Sequence, residues 1–203
     1  QGSRARQRNP IPTEPKENDV AKTVHAQPTP SMALDENAIA SAARERLHDG
    51  AVTPSIAPYA KDICKLLNDA LATEWVCVLR YRRHYFTAKG IASEPIAAEF
   101  LVHANEELSH ADRLAERIVQ LGGEPMLDPD SLKARSHADY DESLDLKAMI
   151  RANLVAERIA VEVYRQLIAL IGDKDPSTTH LLRAILADEE EHADDLSDWL
   201  DKS

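Results

Sequence analysis

Four stretches of the chain repeat apolar residues in steps that alternate between three and four. That is the seam of a helical bundle rather than the face of a lone surface helix. The first, predicted over residues 61–88, carries Ile63, Leu67, Ala70, Glu74, Cys77, Tyr81 and then Tyr85 or His84. The second, over 94–121, carries Ile96, Phe100, His103, Glu107, His110, Leu114, Ile118 and Leu121. The third, over 144–171, carries Leu146, Ile150, Asn153, Glu157, Ala160, Tyr164, Leu167 and Ile171. The fourth, over 176–200, carries Leu182, Ile185, Glu189, His192, Leu196 and Trp199. Ser93 and Asp175 are suited to cap the second and fourth helices. Gly90, Gly122-Gly123 and Gly172 stop the first three. Each helix spans roughly 40 Å at 1.5 Å per residue.

The links set the topology. The first and second helices are separated by a few residues, as are the third and fourth, so each pair is an antiparallel hairpin. The stretch 122–143 between the hairpins is long enough to run back along the bundle. It contains Pro125 and Pro129, and a short helix is expected near 131–136. The predicted fold is all-α, an antiparallel four-helix bundle over 61–203 with one long crossover. Residues 1–33, with Pro10, Pro12, Pro15, Pro28 and Pro30 and no apolar period, are expected to form a disordered tail. Between tail and bundle, residues 34–60 read as a short helix from Asn37 to His48 and a link marked by Thr53-Pro54 and Ala57-Pro58.

Every stripe carries a glutamate near its middle. Two of them open a Glu-x-x-His pattern, Glu107 with His110 and Glu189 with His192, and residues three apart share a helix face. Glu74 lies 33 residues before Glu107, and Glu157 lies 32 before Glu189. Burying an isolated carboxylate is strongly unfavourable. Four of them need cationic partners, and no Lys or Arg lies on the stripes. Two metal ions bound by Glu74, Glu107, His110, Glu157, Glu189 and His192 would satisfy them. Carboxylates with neutral imidazoles suit iron or manganese better than a thiolate-type zinc site.

Neighbouring residues add to this picture. Tyr81 and Tyr164 each follow a stripe glutamate by seven residues, two turns along the same face, where a phenol can orient a carboxylate or supply an electron. Asn153 lies one turn before Glu157. His103 lies one turn before Glu107, as an accessory ligand or a core histidine. Cys77 faces the same region, as an inert thiol or a redox group. Glu106, Glu116, Glu190 and Glu191 are expected on solvated faces, and His84, His137 and His180 at the periphery.

Charge and composition narrow the function. The net charge is −11, and residues 1–50 hold seven Lys/Arg against seven Asp/Glu, so the excess is carried by the remainder. Such a surface attracts cations and disfavours nucleic acid. Arg4, Arg6, Arg8, Lys16 and Lys22 leave the tail a weak, salt-sensitive nucleic-acid contact as an expectation. No apolar run approaches the length of a transmembrane helix, so no membrane partner is expected. Cys64 and Cys77 stand about 220° apart around one helix and cannot bridge within it, and a cytoplasmic location is the simplest expectation.

The stretches LLNDALATEWVCVLRYRRHY, AAEFLVHANEELSHADRLAERIVQLGGEP, LVAERIAVEVYRQLI and AILADEEEHADDLSDWL resemble the bacterioferritin and Dps-like branch of the ferritin-like superfamily. The resemblance covers about residues 61–200. It implies a ferritin-like bundle with a ferroxidase centre of two iron ions per subunit, manganese being the alternative metal. It implies that Glu74 and Glu157 are terminal ligands, that Glu107 and Glu189 bridge, and that His110 and His192 each bind one iron. Tyr81 matches a family tyrosine beside the centre. Fe(II) and O2 or H2O2 are then the expected substrates, serving iron storage or protection from oxidative stress. A different di-iron or di-manganese oxidoreductase and a Dps-like DNA-protecting shell are the alternatives. Haem-binding bacterioferritins place a methionine where this chain has Leu108, so haem is not expected. Only eleven residues follow His192, too few for the fifth helix of the 24-subunit shells. A homo-oligomer of twelve, or a dimer, is expected instead.

Overall fold

The computed structural model describes residues 32–90 and 93–202. The expected tail therefore lies, up to residue 31, outside the described residues. A compact unit begins at Glu36. Its helices are α1 (Glu36–Ala42), α2 (Ala57–Thr87), α3 (Ser93–Gln120), α4 (Pro129–Arg135), α5 (Leu146–Ile171) and α6 (Pro176–Lys202). Short 3-10 turns occupy Leu47–Asp49 and Gly172–Lys174. Among the described residues there is no strand, and no helix is long and apolar enough to cross a membrane.

α2, α3, α5 and α6 are the four predicted helices. α1 is shorter than the expected Asn37–His48 helix. It buries no residue, and Arg46 turns left-handed at φ 50° before the 3-10 turn. A seven-residue helix with no buried face gains little from packing and ends early. α2 begins four residues ahead of its expected start, at Ala57. Pro58 lies in its first turn, where its missing N–H loses no intrahelical bond. What reads in the sequence as the end of a link is the start of a helix.

The hydrophobic core has two large clusters and a small third one of Cys77, Ala138 and Ala156. One cluster includes Leu67 and Leu71 of α2, Leu114 and Ile118 of α3, Leu167 and Ile171 of α5, and Leu182 and Ile185 of α6. The other large cluster includes Tyr81 of α2, Ile96 and Phe100 of α3, Met149 and Ile150 of α5, and Leu196 of α6. The first cluster draws on the early half of α2 and α6 and the late half of α3 and α5, as antiparallel neighbours must. The four stripe glutamates fall between the two large clusters. Core packing therefore fixes the bundle at both ends and leaves a polar layer at the waist.

At the open end of the α2–α3 hairpin, α3 ends on a pair of glycines. Gly122, at φ +75°, donates its N–H to Val119 O, and the Gly123 N–H reaches Ile118 O at 2.9 Å. This pair of bonds is the Schellman closure of a helix. At Gly123 a Cβ would sit 2.7 Å from Cys64 Sγ on the opposing helix, so only glycine fits there. The crossover after it lies along α2 and is tied down by α2's own polar residues. Asn68 binds Glu124 O and the Met126 N–H, Thr73 binds His137, Arg80 binds Asp139 O and Arg83 binds Ser143 O.

Asp175 caps α6, accepting from the Thr178 N–H and hydroxyl, and pairs with Arg117 of α3 at 2.8 Å. Burial raises its carboxyl, but Thr178 and Arg117 outweigh that and hold it below the usual range. Asp175→Ala is expected to cost about 2 kcal/mol of stability in denaturant unfolding at neutral pH. Because the folded pKa is depressed, this contribution is complete above the ordinary carboxylate range and is lost as pH falls through the folded value. Wild type and variant should therefore converge in acid; equal stability at neutral pH would remove the cap from the account of α6.

Candidate metal centre

Glu74 on α2, Glu107 on α3, Glu157 on α5 and Glu189 on α6 are each at most 2% exposed. His110 and His192, one turn on from Glu107 and Glu189, are buried with them. The ring nitrogens show the order of the site. His110 Nδ1 faces Glu189 at 3.0 Å, Glu107 at 3.3 Å and Glu74 at 3.6 Å. His192 Nδ1 faces Glu107 and Glu157, both at 3.7 Å, and Glu189 at 3.9 Å. Two donor sets result, Glu74–Glu107–His110–Glu189 and Glu107–Glu157–Glu189–His192, each with its ligand atoms within 4.8 Å of one another. Glu107 and Glu189 belong to both, and each set adds one glutamate and one histidine of its own.

Several of these atoms have no hydrogen-bond partner: Glu74 Oε2, Glu107 Oε1, Glu157 Oε2, both Glu189 oxygens and His192 Nδ1. Buried acceptors without donors are unfavourable. Here they converge on two points, and a pair of divalent cations would neutralise four carboxylates. By geometry and by donor chemistry, these residues fit a metal pair.

The surrounding groups aim the ligands across the bundle. Tyr81 of α2 donates to Glu157 of α5, and Tyr164 of α5 donates to Glu74 of α2. Each tyrosine thus holds the glutamate of the other hairpin, not the one seven residues before it. The outer ring nitrogens are held in the same crossed way. His110 Nε2 meets Asp188 at 3.1 Å, and His192 Nε2 meets Glu106 at 2.9 Å. A carboxylate on Nε2 keeps the proton there and turns the Nδ1 lone pair inward. Glu106, about half exposed, is thus bound to the site rather than simply solvated. Asp188 was not among the candidates. The signal was the acidic residue directly before each Glu-x-x-His, Glu106-Glu107 and Asp188-Glu189.

Two more buried groups lie behind the site. A cation does lie in the core: Arg80 is 0% exposed, 3.8 Å from Glu157, and donates to Asn153 Oδ1 at 2.7 Å and toward Cys77 Sγ. His84 is buried, not peripheral, between Asn153 and Asp141. Asn153 therefore contacts Arg80 and His84 and sits behind the carboxylates. His103 binds the Tyr81 hydroxyl and stacks on His192 with ring centres 4.2 Å apart. Both cysteines are free and buried, and burial pushes both thiols up. His137 and His180 are exposed, as expected.

Ionisation follows the same symmetry. Burial, with the charges of Glu189, Glu157 and Glu74, raises Glu107 well above the carboxylate range. Glu189 is raised by burial and by Glu74 and Glu157. Glu157 resists its burial and is held at about 2 by the close approach of His192 and Glu189 and by the charges of His192 and Arg80. Glu74 is likewise lowered against burial, by His110 and Glu107. His110 is raised to about 10 because its hydrogen bond with Glu107 and the nearby Glu74 carboxylate outweigh burial. His192 rises through Glu157 and Glu106. Buried beside His192, His103 falls to about 4 and is neutral. In the metal-free protein, then, Glu107, Glu189 and the two histidines are biased toward their protonated forms, and Glu74 and Glu157 toward their ionised forms.

A waist of four glutamates and two histidines in a two-hairpin bundle defines a class of protein. The chain belongs to the ferritin-like family, whose domain matches residues 64–203. It is 30% identical to the nutrient stress-induced DNA-binding protein of Synechococcus sp., over 68% of this chain and 80% of that one. It is 28% identical to the bacterioferritin of Mycobacterium leprae, over 68% and 84% of the two chains. The solved structure of the bacterioferritin-related protein of Bacteroides fragilis, described as a dodecameric thioferritin, has a TM-score of 0.68 and 33% identity. That match covers 70% of this chain and 86% of the other.

Proposed function

We propose that this protein oxidises Fe(II) at the waist of its bundle. One Fe(II) is held by Glu74, Glu107, His110 and Glu189, the other by Glu107, Glu157, Glu189 and His192. The observation that carries this reading is the overlap of the two donor sets at Glu107 and Glu189. Ions sharing two carboxylates can deliver two electrons to one oxidant. H2O2 would take that pair with two protons and leave as water; O2 would leave as H2O2. Tyr81 and Tyr164 hold the terminal glutamates, and Glu106 and Asp188 keep Nε2 of each histidine protonated. The protein serves iron storage or protection from oxidants, as a homo-oligomer, for which twelve subunits is the form supported by the Bacteroides fragilis relative.

Apoprotein loaded with Fe(II) in air should develop ferric absorbance quickly. Saturation at about two irons per chain marks a catalytic centre, and many more marks a cage that stores mineral. Particle mass with and without iron separates the two. No rapid oxidation at all would overturn the proposal.

Binding must displace the protons that the metal-free site holds on Glu107, Glu189 and the histidines. Affinity for a divalent ion such as Co(II) is therefore expected to fall as pH is lowered, and binding in weak buffer to acidify the solution. A pH-independent affinity would argue against these ligands. Names of relatives also raise DNA binding, and for this chain Arg4, Arg6, Arg8, Lys16 and Lys22 are its candidate contacts. Retention on DNA should then vanish as salt is raised.

A further inference from the structure

Between α3 and α6 a cavity of about 170 Å³ opens beside His192. Five carboxylates line it, those of Glu99, Glu106, Asp188, Glu191 and Asp195, and His103 closes its inner wall. The field in such a cleft favours a cation.

His103 is 1% exposed, and its hydrogen bonding fixes its tautomer. Its Nδ1 lies 3.2 Å from the Tyr81 hydroxyl. That hydroxyl has one proton, which it donates to Glu157. It therefore accepts from His103, and the imidazole proton sits on Nδ1. In the neutral imidazole, Nε2 then carries a lone pair aimed into the cavity. It faces Glu99 Oε1 at 3.5 Å and Asp195 Oδ2 at 3.8 Å. Three potential ligand atoms meet there. The three ligand atoms lie within 4.8 Å of one another, close enough for the half-exposed Asp195 and the partly exposed Glu99 to close on a single ion. His192 is not part of this set, because its Nε2 proton is held by Glu106 at 2.9 Å. The His103 ring nevertheless stacks on His192, so the cavity lies one ring away from the inner pair.

We infer that Glu99, His103 and Asp195 form a third divalent-cation site, where Fe(II) is staged at the mouth of the centre. One imidazole and two carboxylates suit Fe(II), Mn(II), Co(II) or Zn(II). The staging role rests on the ferroxidase proposal, but the site itself does not.

Co(II) tests both. Crystals of the full chain soaked in Co(II) should show an anomalous peak about 2.1 Å from His103 Nε2, beside the two inner peaks. By equilibrium dialysis, Glu99→Gln/Asp195→Asn should bind one Co(II) fewer per chain than wild type. Glu107→Ala should lose the inner ions and keep the outer one. Inner peaks with none at His103, or unchanged binding in the double variant, would overturn the third site and leave the ferroxidase proposal standing. An outer peak without inner ones would uphold the third site and sink the ferroxidase proposal. For staging, the double variant should oxidise Fe(II) several-fold more slowly at low Fe(II) and approach wild type at saturation. Equal rates at low Fe(II) would overturn that role.

Discussion

Glu107→Ala is expected to lower the rate of Fe(II) oxidation by more than about 100-fold, because changes merely behind a metal ligand already cost up to that much. Glu107 belongs to both donor sets, so its loss should empty both positions. Glu74→Ala, which touches one set, should leave one of the two Fe(II) ions bound at the waist. The same Glu107 variant should make the metal-free protein more stable. Burial and three neighbouring carboxylates oppose ionisation of Glu107. Removing it relieves a buried oxygen without a partner, worth roughly 1–3 kcal/mol. Stopped-flow ferric absorbance and thermal unfolding without metal measure the two effects. Oxidation at the wild-type rate would show that the site has been misassigned.

Arg80→Met is expected to destabilise the protein by about 3–5 kcal/mol, the range for stripping one partner from a buried ion pair. The variant takes the neighbouring positive charge from Glu157 and leaves the Asn153 side-chain oxygen and the Asp139 carbonyl without their donor. Methionine fills the volume, so the loss is electrostatic rather than a cavity. Arg80→Lys, which keeps the charge but not the fork of donors, should fall in between. Urea unfolding at neutral pH measures the series, and a Met variant as stable as wild type would mean that Arg80 is a bystander.

The bundle was legible because its signal is periodic. Stripes stepping by three and four place Glu74, Glu107, Glu157 and Glu189 at one level with no knowledge of distance. The histidines come with them, since a Glu-x-x-His spacing is one helical turn. Arg80 was not legible, for a physical reason. A stripe describes one buried face, but α2 has two, because the crossover covers its back. Residues on that second face, Asn68, Thr73 and Arg80, stand off the stripe, and only residues 124–139 laid over them show why they are buried. His84 was misplaced in the same way, since Asp141 of that crossover meets it. Glu106 and Asp188 failed differently. Both are about half exposed and look like surface acids, and only the approach of α3 to α6 shows which ring nitrogen each one holds. Likewise, the seven-residue spacing of each tyrosine from a glutamate was real, but the hydrogen bond crosses to the opposite hairpin.

That crossing has a mechanical meaning. Neither hairpin can assemble the centre alone, for each supplies the clasp that fits the other's carboxylate. Undocking the hairpins by even a fraction of a turn would break Tyr81 from Glu157 and Tyr164 from Glu74 together. Metal affinity would therefore gauge how well the two halves of the molecule are seated, and a pair of ions at the waist, each held from three helices, would together act as a rivet through all four.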